Sequence, residues 1–324
     1  MNILVTGGAG YIGSILVPML LAKDHRVRVL DTLLHGGRSL LGVWSSPGFE
    51  LRRGDIRDRN ETRAALGGID AVVHLAAIVG DPACARHPEL ARSVNLEASQ
   101  LLFEESKRAD VSRLVVASTC SNYGKMKDPN RYVDETTELS PVSLYAETKV
   151  SMEQTILALA RTDGLCATSL RFATVFGVSP RMRFDLMVNE FTMELLTKRR
   201  LVVYGEQFWR PYIHVRDVAR AIETVLGAPS EKVRGEVFNV GDTQQNYQKG
   251  QLVKLICDQV KNDEIKVEYV HKEEDPRDYR VSFEKIKRAL GFGTTCTVED
   301  GVREIIRLVE QGVITDFDNP IYRN

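Results

Sequence analysis

Thr6-Gly7-Gly8-Ala9-Gly10-Tyr11-Ile12-Gly13 follows directly on the aliphatic run Asn2–Thr6 and leads into an amphipathic segment, Tyr11–Lys23. Gly8, Gly10 and Gly13 satisfy G-x-G-x-x-G, and Gly7, Gly10 and Gly13 satisfy a G-x-x-G-x-x-G variant. Glycines in this pattern permit a tight strand-to-helix turn, let backbone approach a pyrophosphate, and allow a helix to pack closely on a sheet. The helix N-terminus then offers unpaired N–H groups and a favourable dipole to the phosphates. Asp31 ends a second aliphatic run, Arg26–Asp31, 18 residues after Gly13. A carboxylate there accepts hydrogen bonds from the adenosine ribose and repels the 2′-phosphate of NADP. The expected cofactor is therefore NAD, held by Gly7, Gly10, Tyr11, Ile12, Gly13 and Asp31.

Outward from this turn, short aliphatic runs alternate with longer amphipathic stretches. The strands expected are Asn2–Thr6, Arg26–Asp31, Phe49–Arg53, Ala71–Leu75, Arg113–Ser118 and Ala167–Phe172. The helices expected are Tyr11–Lys23, Asn60–Leu66, Pro88–Ala109 and Val142–Arg161. Such alternation requires parallel crossovers and a doubly wound sheet covered on both faces. Strands buried on both faces read as continuous apolar runs, as Ala71-Val-Val-His-Leu and Leu114-Val-Val-Ala do. Past Thr174 the regularity fades into a loop (Phe176–Arg183), a helix (Phe184–Lys198), a strand (Leu201–Tyr204) and shorter elements. Tyr212–Val215, a helix near Asp217–Leu226 and the strand Glu236–Val240 are expected to return to the first sheet. The fold class is thus α/β, a Rossmann-type doubly wound parallel sheet with a smaller α/β C-terminal substrate lobe. Residues 1–174, with 211–240 returning, form the NAD-binding part; 175–210 and 241–324 form the lobe.

Composition narrows the function classes. At 43% hydrophobic and 27% charged with a net charge of −1, the chain has no basic excess for nucleic acid. Cys84, Cys120, Cys166, Cys257 and Cys296 are dispersed and odd in number, so neither a disulfide framework nor a metal site is expected, and a reducing cytoplasm is. No run reaches the length of a membrane span.

Further candidates follow the strand ends. Gly54-Asp55-Ile56 places Asp55 and Ile56 toward the adenine edge, and His74-Leu75-Ala76-Ala77 puts small residues where backbone must approach the cofactor. His74 itself reads as a satisfied near-core histidine. Tyr145 and Lys149 stand four apart on an expected helix, hence on one face. A phenol with a pKa of about 10 is a poor base at neutral pH, and a neighbouring ammonium is expected to lower it into acid–base use. Ser118-Thr119 supplies strand-end hydroxyls on the same crevice.

These motifs resemble the extended short-chain dehydrogenase/reductases, in particular their nucleotide-sugar epimerases, dehydratases and reductases. TGGAGYIGS, GDIRD, HLAA, STCSNYG, YAETK, RFATVFG, RPYIHVRDV and FNVG occur in the family's order. The resemblance implies that Thr119, Tyr145 and Lys149 are catalytic, with Lys149 also on the nicotinamide ribose. It implies a nucleotide sugar held by Arg210 and Arg277, with Asn189 near the phosphates. It also implies a homodimer paired through Pro88–Ala109 and Val142–Arg161. Arg181 and Arg183, in the loop after Thr174, are further cations suited to a diphosphate. Ile78–Pro82 with Cys84 is placed near the hexose.

The departures from the family pattern carry information. Sugar 4,6-dehydratases follow the threonine with Asp-Glu, where this chain has Cys120-Ser121, which disfavours dehydration. Cys120 reads as a small buried thiol. Thr174 replaces the family's usual asparagine and alters how sugar or phosphate is held. Stretches 179–189 and 275–282 are similar to GDP-heptose 4-dehydrogenases. The expected reaction is epimerisation through a transient 4-keto sugar. A net 4-dehydrogenase or 4-ketoreductase is the alternative, and a non-catalytic nucleotide-binding protein stands behind both.

Overall fold

The computed structural model describes residues 1–126, 128, 131–162, 164–262, 264–273 and 277–324. Its strands in chain order are β1 (Asn2–Thr6), β2 (Arg26–Asp31), β3 (Phe49–Arg53), β4 (Ala71–His74), β5 (Arg113–Thr119), β6 (Cys166–Phe172), β7 (Thr174–Phe176), β8 (Arg200–Tyr204), β9 (Trp209–His214), β10 (Glu236–Val240), β11 (Asn246–Gln248) and β12 (Lys266–Val270). The helices are α1 (Gly13–Leu21), α2 (Arg59–Leu66), α3 (Asp81–Arg86), α4 (Pro88–Arg92), α5 (Ala98–Arg108), α6 (Leu144–Thr162), α7 (Met187–Thr197), α8 (Val215–Gly227), α9 (Ser230–Val233), α10 (Lys249–Val260), α11 (Glu284–Leu290) and α12 (Val298–Glu310).

Seven strands form one sheet in the order β10-β6-β5-β4-β1-β2-β3, every neighbouring pair parallel. Its central strands are apolar on both faces because both faces are covered. Ile3 and Val5 of β1 point into a core shared with α1 and α8, whereas Leu4 points into one shared with α5 and α6. Leu102 and Phe103 of α5 are fully buried in the second core, each removal from water contributing about 1.5–3 kcal/mol. Asp58 caps α2, its side chain accepting from the Asn60 and Glu61 N–H groups at 2.7 and 3.1 Å.

Strand order reverses between β1 and β4, where the chain crosses from one side of the sheet to the other. A crevice therefore opens above the carboxyl ends of these two strands, the place where such sheets take ligands.

Two expectations need correction. Strand β9 does not return to the main sheet; it lies between β7 and β11 in a separate three-stranded sheet. Its inner partner is Thr174–Phe176, which leaves the main sheet immediately after β6, so residues 209–214 are captured there while β10 alone returns, beside β6. The helix expected over Pro88–Ala109 is interrupted by a π-helical turn, Ser93–Glu97, between α4 and α5. Such a turn widens the helix by one residue and is common at functional sites. Asn95 sits in it.

Candidate active site

The glycine turn is built for close approach. Gly7 has a φ of 74°, a left-handed conformation costly for side-chain-bearing residues. A Cβ on it would stand 2.7 Å from the Ala76 nitrogen. A Cβ on Gly13 would stand 2.5 Å from Gly8 Cα, so the first turn of α1 packs against the loop only with glycine there. Gly10 donates its N–H back to the Gly7 carbonyl at 3.1 Å and accepts from Ser14 at 3.0 Å. The N–H groups of Tyr11, Ile12 and Gly13 have no acceptor among the described residues. They form an anion-receptive helix start. Asp31 ends β2 beside them, each carboxylate oxygen held by one backbone N–H, Ala9 at 3.0 Å and Leu33 at 2.8 Å. Burial pushes its pKa above the usual carboxylate range despite these bonds. A tight cradle, three open donors and a fixed acceptor fit a dinucleotide.

The Tyr11 side chain is buried, its hydroxyl donating to the Gly177 carbonyl at 2.6 Å, so the Tyr11 backbone is the part left for a cofactor. Asp55 is fastened to Arg57, whose Nη2 lies at 2.6 Å and whose hydrogen bonds hold the carboxyl below its usual range. Ile56 beside it is buried, its carbonyl accepting from Thr62 Oγ1 at 3.2 Å.

Leu75, Ala76 and Ala77 emerge half-buried at the crevice, directly after fully covered β4. A chain of hydrogen bonds sets this segment. The Ala76 N–H reaches Thr6 Oγ1 at 3.4 Å, and Thr6 Oγ1 lies 2.7 Å from His74 Nδ1. His74 Nε2 lies 2.8 Å from Ser99 Oγ, which donates to the Asn95 carbonyl at 2.9 Å. This pattern is satisfied throughout by an Nε2–H imidazole. Burial, with a smaller contribution from Lys149, lowers the His74 pKa to about 3. Asn95, from the π turn, accepts the Ile78 N–H at 2.7 Å and donates to the Ile78 carbonyl at 2.9 Å. Nothing in the sequence pattern marked Asn95.

Tyr145 and Lys149 lie on α6 as expected, Lys149 buried and Tyr145 partly exposed. Their electrostatics depart from the simple expectation. Lys149 Nζ donates to the Ala117 carbonyl of β5 at 2.9 Å, and burial lowers its pKa to about 8. The Tyr145 phenol is pushed up, chiefly by burial, then by Cys84, with Arg183 opposing. At this site burial is the larger influence on the phenol. The Tyr145 hydroxyl has no hydrogen-bond partner among the described residues. Thr119, at the end of β5, accepts the Ser121 N–H at 3.1 Å, which leaves its own proton available to donate.

A carboxylate that sequence reading did not single out stands over this helix start. Asp81 of α3 accepts from Ser143 Oγ at 2.8 Å and from Arg277 Nη1 at 2.7 Å. Ser143 lies two residues before Tyr145 and accepts the Ala146 N–H at 3.3 Å. Arg277 is thus tied to the opening of α6; Asp275 and Pro276 of its motif lie outside the described residues. Cys84 is buried, its thiol pushed up to about 11 by burial and then by Asp81. Cys120 is also buried, its Sγ donating to the Arg171 carbonyl at 3.3 Å, as a small buried thiol. Arg210 is buried on β9, its guanidinium 5.6 Å from the Tyr279 ring centre, and the Tyr279 hydroxyl lies 3.3 Å from Ser121 Oγ. Arg210, Tyr279, Ser121 and Thr119 therefore form one wall. Thr174 opens β7, half-buried.

Asn189 needs correction. It is 0% exposed, and its amide is consumed inside the protein. Oδ1 accepts the Gly177 N–H at 2.9 Å, and Nδ2 donates to the Arg183 carbonyl at 2.8 Å. It fixes the loop after β7 and cannot also reach a phosphate. Arg183 forms a two-pronged pair with Asp185 at 2.9 and 2.7 Å, and Arg181 lies buried beside it. Two surface hollows of about 780 and 660 Å³ sit elsewhere, near Arg216, Cys296 and Arg307 and near Trp209, Tyr247 and Gln251. Neither contains a strand-end residue from the crevice. Among the described residues no cluster of potential metal ligands occurs, and no helix is long and apolar enough to cross a membrane.

The profile of the NAD dependent epimerase/dehydratase family matches residues 3–241. A UDP-glucose 4-epimerase of Corynebacterium glutamicum is 29% identical over 309 residues, covering 90% of each chain. A dTDP-glucose 4,6-dehydratase of Streptomyces griseus is 31% identical over 309 residues, 93% of this chain and 92% of its own. The crystal structure of the Thermus thermophilus UDP-glucose 4-epimerase in complex with NAD superposes with a TM-score of 0.83 at 26% identity. That match covers 97% of this chain and all of the other.

Proposed function

The chain belongs to the NAD dependent epimerase/dehydratase family, and from that premise we propose that it is a nucleotide-sugar epimerase acting through a transient 4-keto sugar. The observation that carries the reading is the Tyr145 hydroxyl, without a protein partner among the described residues, on a helix whose next turn buries Lys149 and beside a strand end that presents Thr119. NAD, which the family uses, supplies the two-electron hydride acceptor and donor when bound. The residues of the glycine turn and Asp31 would hold it. Thr119 donates a hydrogen bond to the sugar oxygen undergoing oxidation, and Tyr145 takes the proton from that hydroxyl as its C–H bond breaks and the carbonyl forms. Reversal on the opposite face of a turned sugar returns the same proton from Tyr145 and yields the epimer. Cys120 and Ser121 stand where an eliminating acid pair would be needed, and Cys120 is a buried thiol with a raised pKa. That supports epimerisation over dehydration.

The similarity of stretches 179–189 and 275–282 to GDP-heptose 4-dehydrogenases favours one second reading, a net 4-dehydrogenase or 4-ketoreductase. In this proposal residues 1–174 and 215–240 hold the cofactor, while 175–210 and 241–324 carry the sugar nucleotide, Arg210 and Arg277 facing its diphosphate. Incubation with NAD and a panel of UDP-, GDP-, dTDP- and CDP-sugars decides between the readings. The expected result is a new epimer without net NADH. Accumulating NADH with a keto sugar would replace the epimerase by the dehydrogenase.

The same proposal includes a homodimer through the helices of residues 88–109 and 142–161. Light scattering after gel filtration is expected to give twice the 36.3 kDa chain mass, and a monomer at micromolar concentration would remove that part.

A further inference from the structure

The loop after β7 is stitched to the glycine turn rather than to the sugar end of the crevice. Ser179 Oγ donates to the Tyr11 carbonyl at 2.7 Å and lies 2.9 Å from Ser14 Oγ. The Tyr11 hydroxyl reaches back to the Gly177 carbonyl. Two residues beyond Ser179, Arg181 is 5% exposed. Its Nη2 donates to the Arg323 carbonyl at 3.1 Å and to Asn324 Oδ1 at 2.7 Å. Its Nε is buried without a partner among the described residues. Both Nη2 acceptors are neutral groups, and the nearby carboxylate, Asp185, is already gripped by Arg183. A buried guanidinium without a paired anion is costly. The cost shows in its ionisation: burial and then Arg183 lower the Arg181 pKa to about 10. On the other flank stands His35, in the loop that follows Asp31, neutral with a pKa of about 4 through burial and both arginines. Ser39 of that segment donates to the Ala9 carbonyl at 2.8 Å, which anchors this flank to the glycine turn as well.

We propose that Arg181 is part of the cofactor site, a cation carried by the β7–α7 loop that neutralises the dinucleotide pyrophosphate at the open N–H groups of Tyr11, Ile12 and Gly13. Two observations bear on one anion: a helix start with three unused donors, and a buried arginine with an unused donor, carried two residues beyond the Ser179 that is bonded to the same turn. Arg181 is thereby separated from Arg210 and Arg277, which belong to the far wall beside Tyr279 and Asp81. The assignment also gives the loop a use: a group bound on the glycine turn is gripped by residues whose chain continues into α7. It rests on NAD as the cofactor and holds whichever sugar reaction is catalysed.

Calorimetric binding of ADP-ribose, adenosine and a nucleoside diphosphate to the full chain tests it without turnover. Arg181→Met is expected to weaken ADP-ribose at least about tenfold, as loss of a charge-assisted contact does, while adenosine binding is unchanged. Arg181→Lys should recover part of the loss. Arg181→Gln, whose amide can still meet Asn324, serves if the methionine variant does not fold. Unchanged ADP-ribose affinity in a folded variant overturns the proposal. So does a loss confined to the nucleoside diphosphate, which would return Arg181 to the sugar-nucleotide side. Failure of the unsubstituted chain to bind ADP-ribose would instead remove the cofactor site itself, and this inference with it.

Discussion

Tyr145→Phe is expected to lower turnover about 10²- to 10⁴-fold, the range lost with a positioned general acid–base group, while NAD affinity and thermal stability stay at the unsubstituted level. The asymmetry follows from the structure. The ring packs at the start of α6, and phenylalanine keeps it. The hydroxyl has no partner among the described residues, so its removal strands no donor or acceptor, the usual source of destabilisation when a buried polar group is cut. Turnover near the unsubstituted level would remove Tyr145 from the reaction. A parallel fall in stability or NAD binding would make it a structural residue.

Much of this site was legible in the chain, and the reason is local geometry. The glycine turn, Asp31 at a strand end and the four-residue spacing of Tyr145 and Lys149 are consequences of elements that the aliphatic runs already define, and β1, β2 and β3 fall on the residues expected of them. What was not legible depends on contacts between distant segments. Strand β9 is buried over nearly all its length, as an inner strand of either sheet would be; its partner β7 decided, and that pairing has no signature in residues 209–214. Asn189 looks like a ligand in one dimension because only the fold shows Gly177 and Arg183 using up its amide. Asp81 and Asn95 gained their places through partners up to 196 residues away. The ionisation of Tyr145 escaped prediction for a different reason: spacing gives proximity to Lys149 but says nothing of the burial that raises the phenol.

Glu153 completes the series Tyr145, Lys149, Glu153 on one face of α6, and it anchors that face to the sheet. Buried with Arg171 of β6, it accepts Nη2 at 2.5 Å, Nε at 3.2 Å and the Ser169 hydroxyl at 2.7 Å. Arg171 Nη1 donates to the Tyr123 hydroxyl at 2.8 Å, which donates to Asn239 Oδ1 of β10 at 2.8 Å. Strands β6 and β10, the segment after β5 and helix α6 therefore share one ionic knot. Arg171→Met would leave a carboxylate buried without its counter-charge, and a loss of about 3–5 kcal/mol of folding stability is expected, as for other buried pairs broken on one side. Urea unfolding should show it as a lower midpoint at an unchanged slope. Replacing both partners, Glu153→Met with Arg171→Met, removes both charges and should regain most of the loss, because attraction inside such pairs largely cancels the cost of dehydrating them. If the single variant unfolds at the same urea concentration as the unsubstituted chain, water or a neighbouring group compensates the carboxylate, and the knot does not hold α6. If the double variant is stable but turns over poorly, the pair's contribution lies in the register of Tyr145 and Lys149 against β5 rather than in stability.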